Sequence, residues 1–278
     1  MRVILFILFS WCFACSAQVI RANPFYVKAN TASFSPSDIS GLKLWVKADE
    51  ISGLSDGDPV STWNDNSGVS NTLTSSSTAR PIYKTSILNS LPVVRFDGSN
   101  DVMSKSSPSG VTNISGMTIF LVVKQASLST NQVYATVWDY ATQGCWAFQT
   151  GDVNSDEMTL YIAENITSAG SNHASSTDAN LTAGFYLIAL VYDGSLTNAN
   201  RVKIYKNGSA TTTGPDGGST IATTLTSATA DLRLGQFGGS LTRNFNGDMA
   251  EVIIYNSALG STDRGNVESY LRTKWNVY

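Results

Sequence analysis

Charged side chains are scarce in this chain, and the basic ones form no cluster. Only 14% of the 278 residues are charged, and the formal net charge is −3. Proteins that bind a phosphate backbone carry a concentrated basic surface, which no stretch of this sequence supplies. Low charge also disfavours long solvated helices. We therefore expect no nucleic acid partner and a chain built mainly from strands.

Histidine and paired carboxylates, the usual catalytic groups, are also lacking. His173 is the only histidine, and its Ser- and Asn-rich surroundings indicate a solvated loop without a Gly-x-Ser-x-Gly elbow. A glycosidase needs two carboxyl groups about 5 to 10 Å apart on one face. Asp248 and Glu251 are three residues apart, which predicts opposite faces of a strand, and the adjacent Asp156 and Glu157 diverge too. The sequence predicts a protein that is not an enzyme.

The one long apolar run lies at the start of the chain. Residues 1–17 have Arg2 as their only charge and end in small side chains, which is typical of a secretory signal cleaved after Ala17. Gln18 and Arg21 make this run shorter than the roughly 20 apolar residues that span a bilayer. We expect a secreted or cell-surface chain with no stable membrane span after cleavage.

Cysteine is too rare to cross-link the exported chain. Cleavage of the signal would remove Cys12 and Cys15 and leave Cys145 alone. A single cysteine between apolar neighbours in a strand is usually a small buried side chain. No intrachain disulfide is expected, so stability must come from the core or from bound ions.

Short strands separated by turn-forming residues are abundant. The runs at 117–123 and 185–192 are almost continuously apolar, which predicts central strands covered on both faces. Asn207-Gly208 directly follows an alternating strand and predicts a tight hairpin. Further strands are predicted over 42–47, 92–96, 133–138, 145–149, 158–163, 202–205 and 232–234. Together these strands imply two stacked sheets.

The end of the chain predicts a strand, a turn and one closing helix. Residues 249–255 are rich in β-branched and aromatic side chains, as a buried strand requires. A helical stripe follows, with Ser261 or Thr262 as its N-cap. The stripe consists of Val267, Tyr270, Leu271 and Trp275. We expect this helix to cover a sheet edge or end.

Four sequence blocks carry a family resemblance. They are 41–49 (GLKLWVKAD), 60–68 (VSTWNDNSG), 92–101 (PVVRFDGSND) and the segment 247–277, which opens with GDMAEVIIY. In this order they resemble the concanavalin A-like lectin/glucanase superfamily, in particular its laminin-G-like and pentraxin-like bacterial and phage domains. The resemblance implies an all-β fold, an antiparallel jelly-roll β-sandwich with one short C-terminal helix. It implies no activity, because one fold hosts many functions.

The resemblance covers 39–278, and residues 18–38 form an extended lead-in before it. Our first hypothesis is a non-catalytic module that binds a glycan or an extracellular protein through loops at one sandwich edge. The alternative is a structural or virion-decoration protein that self-assembles through 18–38. A glycoside hydrolase is the least favoured reading, because the glucanase pattern Glu-x-Asp-x-x-Glu is missing.

Sugar binding would need aromatic rings beside polar side chains. Trp138, Tyr140, Gln143 and Trp146 are the best cluster for this purpose. The competing interpretation is that these aromatic side chains fill the core.

Calcium is the ion that relatives often hold at the sandwich rim, and its hard oxygen ligands are abundant here. Asp97, Asn100 and Asp101 cluster after a strand and form the candidate site. The competing interpretation is a tight turn built by Asp97 and Gly98. Glu251, inside an apolar strand, is interpreted as a structural acceptor for backbone groups or for Trp63.

Overall fold

The computed structural model describes residues 33–76, 78–139, 143–164, 171–239 and 243–278. One compact unit runs from Phe34 to Tyr278. Its strands are β1 (Leu42–Lys47), β2 (Thr62–Trp63), β3 (Leu73–Thr74), β4 (Ile82–Leu88), β5 (Leu91–Asp97), β6 (Met103–Lys105), β7 (Gly116–Gln125), β8 (Val133–Asp139), β9 (Gln143–Thr150), β10 (Met158–Ala163), β11 (Ser171–Ser176), β12 (Phe185–Asp193), β13 (Val202–Lys206), β14 (Ser209–Ala210), β15 (Thr213–Pro215), β16 (Leu232–Leu234) and β17 (Asn246–Tyr255). One α-helix, α1 (Ser261–Trp275), and three short 3₁₀ helices, Pro36–Asp38, Ala48–Glu50 and Asn198–Asn200, complete the described elements.

The strands form two sheets in which every strand pairing is antiparallel. Sheet A has the order β14-β13-β12-β7-β17-β5-β4. Strand β17 pairs with β7 along one edge, and β5 and β1 pair with successive parts of its other edge. Sheet B has the order β15-β11-β10-β9-β8-β16-β6-β3-β2. The two sheets stack face to face, which confirms the predicted all-β sandwich with one C-terminal helix.

Alternation along the strands fills the space between the sheets. In β10, Met158, Leu160 and Ile162 join the main core, whereas Tyr161 and Ala163 face outward. The largest side chains that solvent does not reach include Trp63, Trp146, Tyr134, Phe96, Phe148 and Phe245. Because no disulfide links the described residues, this apolar layer is the main source of stability.

The predicted strands are present, and the central pair is where the sequence placed it. β7 and β12 are neighbours in the middle of sheet A. The hairpin at Asn207-Gly208 is also confirmed, since both residues have positive φ, 52° and 76°, as a two-residue turn requires. Seven strands were missed by the sequence prediction: β2, β3, β4, β6, β11, β14 and β15.

Helix α1 buries Val267, Leu271 and Trp275 against the outer face of sheet A. The expected position over a sheet edge is therefore wrong: the helix covers strands β7 and β12 in the sheet interior. The expected N-cap is wrong too, because Gly260 occupies that position without a side-chain hydrogen bond. Asn276 ends the helix in the left-handed conformation, a common C-terminal signal.

A buried carboxylate fastens this helix to the sheet. Glu251 is fully buried and accepts hydrogen bonds from Trp45 Nε1 at 2.6 Å and Trp275 Nε1 at 2.8 Å. Lys274 Nζ lies 2.8 Å from the same carboxylate. The structural role predicted for Glu251 is right, but its predicted partner Trp63 is wrong.

A β-bulge corrects the predicted orientation of the acidic pair on β17. The register shifts between Met249 and Glu251, so that one extra residue is inserted. Asp248 pairs with Lys124 and Glu251 with Val122, two positions of β7 that point to the same side. Both carboxylates consequently face outward from sheet A, not in opposite directions.

The described end of the lead-in lies against the sandwich. The Tyr255 hydroxyl donates to the Pro36 carbonyl at 2.8 Å, and Phe34 packs against the apolar cluster under α1. Residues 1–17, predicted as a signal, and most of the 18–38 lead-in lie outside the described residues. Self-assembly through 18–38 remains a prediction.

Replacing Glu251 by Gln should destabilise the protein strongly. The amide would direct N–H donors at groups that are themselves donors, and Lys274 would keep only Asp49, at 2.8 Å, as a counter-charge. We expect a loss of about 3 kcal/mol in the free energy of unfolding, measured by urea denaturation.

The matched control is Glu50→Gln, because Glu50 also pairs with a lysine, Lys47, but its side chain is 49% exposed. That change should cost less than about 1 kcal/mol. Equal losses in the two variants would contradict the role assigned to Glu251.

Candidate functional site

The tryptophans predicted to stack on a sugar are buried. Trp146 faces the main core, is 0% exposed and donates from Nε1 to the Val111 carbonyl at 2.9 Å. Trp138 faces outward from sheet B but is 2% exposed, with Phe237 at 5.8 Å between ring centroids. Neither ring offers a free face to a ligand, so the core-packing interpretation holds for both.

Gln143, the described polar member of that cluster, does not support the predicted sugar site either. The Gln143 side-chain carbonyl accepts from Thr229 N at 2.5 Å and from Thr229 Oγ1 at 2.7 Å, which ties a loop to β9. Tyr140 lies outside the described residues. The described members of the cluster therefore do not form an open site.

The cluster proposed for calcium is a hydrogen-bonded turn. Asp97 Oδ1 accepts from the backbone N–H groups of Ser99 and Asn100 at 2.7 and 3.3 Å. Asp101 Oδ2 accepts from Asp97 N at 2.8 Å, and Asn100 Nδ2 donates to the Thr78 carbonyl at 2.6 Å. Half of the four carboxylate oxygens are thus engaged by the turn itself.

The donor set at this turn fits calcium poorly. Calcium takes about six to eight oxygen ligands, usually with several carboxylates. Within the described parts of the chain, no group of three or more His, Cys, Asp or Glu side chains is arranged to hold a metal ion. Burial raises the pKa of Asp101, and the nearby charge of Asp97 raises it as well. The hydrogen bonds of Asp97 and Asp101 explain the turn without a cation.

A more promising site surrounds His173, which lies in a strand and not in the loop that we predicted. β11 pairs with β10 on one side and with β15 on the other, in sheet B. Tyr161 and His173 are cross-strand partners, and their rings stack with centroids 5.1 Å apart and an interplanar angle of 29°. The next outward row places Thr159 beside Ser175. Four outward side chains thus form a patch on sheet B.

This patch forms the floor of a pocket of about 370 Å³. The turn between β9 and β10 forms one wall, and the segment after β15 contributes Asp216. The lining residues are Asp152, Val153, Asn154, Glu157, Thr159, Tyr161, His173, Ser175, Thr177 and Asp216. We call this site the sheet B pocket.

One side of the sheet B pocket is organised by Asp152. Its Oδ2 accepts from the Tyr161 hydroxyl, and its Oδ1 lies 3.3 Å from Gln149 Nε2 and 3.5 Å from Arg243 Nη2. Burial raises the pKa of Tyr161, and the hydrogen bond to Asp152 raises it further. Tyr161 therefore stays a protonated donor, and Asp152 is held in one orientation.

The other side is organised by Asp216. Its Oδ2 accepts from Ser175 Oγ and lies 3.5 Å from His173 Nε2. Thr159 and Ser175 share a further hydrogen bond at 2.7 Å. A network of this kind fixes its members before any ligand arrives. The His173 Nδ1 atom is buried and has no protein partner in the described structure.

The pocket combines fixed acceptors with one accessible ring. The side chain of His173 is 34% exposed, whereas Tyr161 is 7% exposed, so the imidazole is the aromatic surface that a ligand meets. Asp152, Glu157 and Asp216 give the lining a negative charge. Rigid acceptors beside an aromatic face are suited to a polyhydroxylated ligand.

Sequence reasoning could have found part of this site. In 158–163, apolar residues alternate with Thr159 and Tyr161, which indicates that these two share the outer face. The residues of β11 are too small and polar to predict a strand, so His173 was missed.

The fold and the sheet B pocket define a class of protein, a jelly-roll β-sandwich with a polar pocket on one sheet. A family model described as Laminin_G_3, of the concanavalin A-like lectin/glucanases superfamily, matches residues 97–263, which is more than half of the chain. The chain belongs to this family. The resemblance carried by the four sequence blocks is confirmed.

Solved structures support the fold. The binding domain of Paraclostridial Mosquitocidal Protein 1 matches with a TM-score of 0.56 at 13% identity, covering 87% of this chain and 54% of that one. Domain 4 of AbnA, an extracellular GH43 arabinanase from Geobacillus stearothermophilus, solved with arabinotriose, matches with a TM-score of 0.52 at 16% identity, covering 80% and 95%. The receptor binding domain of botulinum neurotoxin D matches with a TM-score of 0.54 at 9% identity, covering 85% and 54%.

The chain thus spans about half the length of the two toxin domains that it matches. At 9 to 16% identity, these similar structures show the fold that the chain shares with them. No curated protein sequence matches the chain. In the described part of the chain, no helix is long and apolar enough to cross a membrane.

Whether the Asp97 turn binds calcium is still untested, and the melting temperature of the protein decides between a bound ion and a turn closed by its own hydrogen bonds. Because the turn closes through its own hydrogen bonds, we expect the melting temperature to be the same in calcium and in chelator. Differential scanning calorimetry measures this. A rise in calcium that Asp101→Asn abolishes would establish the ion instead.

Proposed function

We propose that this chain is an extracellular, non-catalytic module that binds an uncharged oligosaccharide in the sheet B pocket. The observation that carries the proposal is the network of fixed acceptors around the stacked rings of Tyr161 and His173. Export is proposed from the signal-like sequence at 1–17 and from the similarity to an extracellular arabinanase domain.

A glycan suits the chemistry of this pocket. Sugar hydroxyls donate hydrogen bonds, and the carboxylates of Asp152, Glu157 and Asp216 are acceptors. The C–H face of a sugar ring can lie against the exposed imidazole of His173. The similar arabinanase domain was solved with arabinotriose, which makes that trisaccharide a reasonable first probe.

An uncharged glycan suits the electrostatics. Three carboxylates line the pocket, and Arg243, the cation beside them, already lies 3.5 Å from Asp152. A uronate or sulfate group entering the pocket would face like charges at short range, where repulsion is strong.

The hydrogen bonds of the pocket carboxylates support a role in binding without catalysis. Asp152 accepts from Tyr161 and Gln149, and Asp216 accepts from Ser175. A glycosidase needs two carboxyl groups that are free to act on the two sides of the scissile bond, whereas both of these are engaged by side chains of the protein itself.

His173→Ala should weaken oligosaccharide binding about tenfold, because the exposed ring face is lost. A glycan array of neutral oligosaccharides that includes arabinotriose would select the probe, and calorimetry would give the dissociation constant. Lys203→Ala is the control, since Lys203 lies on β13 of the other sheet and its ammonium donates only to Asn200 Oδ1 in the described structure. Equal affinity in wild type and His173→Ala would contradict the proposal.

Selectivity against acidic glycans is the second test. On the same array, the binding that depends on His173 should be tighter for neutral oligosaccharides than for their uronic acid or sulfated counterparts at low salt, where charge repulsion is least screened. A preference for acidic glycans that disappears in His173→Ala would overturn the assignment of an uncharged ligand to this pocket. Release of reducing sugar, lost in Asp152→Asn, would instead show that the pocket is an active site.

A further inference from the structure

A second pocket lies on the opposite side of the sandwich, on the outer face of sheet A. It has a volume of about 290 Å³ and no helix residue in its lining. The lining residues are Arg95, Lys124, Ala126, Asn246, Gly247 and Asp248. Its charge has the opposite sign to that of the sheet B pocket.

Three adjacent strands bring the charged residues of this pocket into one row. Asp248 on β17 is the register partner of both Arg95 on β5 and Lys124 on β7. Directly opposed residues on antiparallel strands have Cβ atoms about 5 Å apart, so two cations flank one carboxylate. One positive charge is left over.

The buried carboxylate fixes the guanidinium. Asp248, with a side chain that is 4% exposed, accepts from Arg95 Nε at 2.6 Å and from Arg95 Nη2 at 3.0 Å. Arg95 is itself 41% exposed, and its Nη1 group has no partner among the described residues. The guanidinium is thereby held in place with one edge free. Asp56, whose charge also acts on Arg95, is already paired with Lys84.

The remaining donors are uncommitted. The Lys124 ammonium lies 5.7 Å from the centroid of the Phe185 ring, and no carboxylate in the described structure pairs with it. The side-chain amide of Asn246 likewise makes no hydrogen bond to a described residue. An Arg held in place beside a Lys with no carboxylate partner is an arrangement suited to binding an oxyanion.

We propose that this pocket binds an oxyanion, the carboxylate or sulfate group of an acidic ligand, through Arg95 Nη1, Lys124 Nζ and the Asn246 amide. The site is separate from the sheet B pocket and does not depend on it. A module with both sites would hold a neutral glycan on one sheet and an acidic group on the other.

The test is a titration followed by NMR, using the Nε–H signal of Arg95, which the hydrogen bond to Asp248 should protect. Sodium glucuronate and sodium sulfate are the two probes, with glucose and sodium chloride as their controls. We expect a saturable shift with at least one probe and none with its control. In Lys124→Gln the affinity should fall about tenfold.

Two control variants make the result decisive. Lys203→Gln removes a lysine charge outside the pocket and should bind as the wild type does, and His173→Ala should do the same. Arg95→Gln leaves the buried Asp248 unpaired and risks unfolding, so Lys124→Gln is the primary variant. Absence of a saturable shift, an unchanged affinity in Lys124→Gln, or loss of binding in His173→Ala would overturn the proposal.

Discussion

The carboxylate of Glu251 fastens helix α1 and strand β1 to the centre of sheet A. It lies in an apolar strand, where an unpaired charge would be very costly, and it is surrounded by two indole N–H groups and one ammonium. Trp45 comes from the first strand, and Lys274 and Trp275 come from the end of the last helix. The first strand and the last helix are thereby joined at one point on sheet A, and the sandwich is closed without a disulfide.

Helix α1 covers part of the outer face of sheet A, whereas the outer face of sheet B carries the sheet B pocket. At the pocket, the outward rows of this face are polar or amphipathic, Thr159 with Ser175 and Tyr161 with His173, and the ring of His173 is the most exposed of the four side chains. Hydrogen bonds to Asp152 and Asp216 hold these side chains in place. The contacts of Glu251 and helix α1 on sheet A and the polar network of the sheet B pocket consequently lie in different parts of the molecule. Such a separation lets loops and outward residues vary without loss of the fold.

The sequence predicted the fold better than the site, for physical reasons. The conformation of long apolar or alternating strands such as β7 and β10 can be predicted from their own residues, because only one arrangement buries their apolar side chains. β11 has no such pattern, and its strand conformation depends on pairing with β10 and β15. His173 could therefore be placed only after its neighbours were known.

The exposure of the aromatic residues and the orientation of the carboxylates could not be predicted from the sequence either. Trp138 and Trp146 differ in the face they occupy, yet both are buried, so their presence in the sequence did not reveal exposure. The bulge before Glu251 moved it to the same face as Asp248, which counting residues along a regular strand cannot detect. Long-range pairing and local irregularity thus decide the site, whereas local periodicity decides the fold.

The most direct test of the binding surface uses the fact that His173 is the only histidine in the sequence. In untagged protein its imidazole C–H signals need no assignment by mutation, and they report on the exposed ring of the sheet B pocket. We expect these signals to move and saturate as a bound neutral oligosaccharide is titrated, with the same dissociation constant that calorimetry gives. Imidazole signals that stay fixed while calorimetry records binding would place the ligand elsewhere and contradict the central claim.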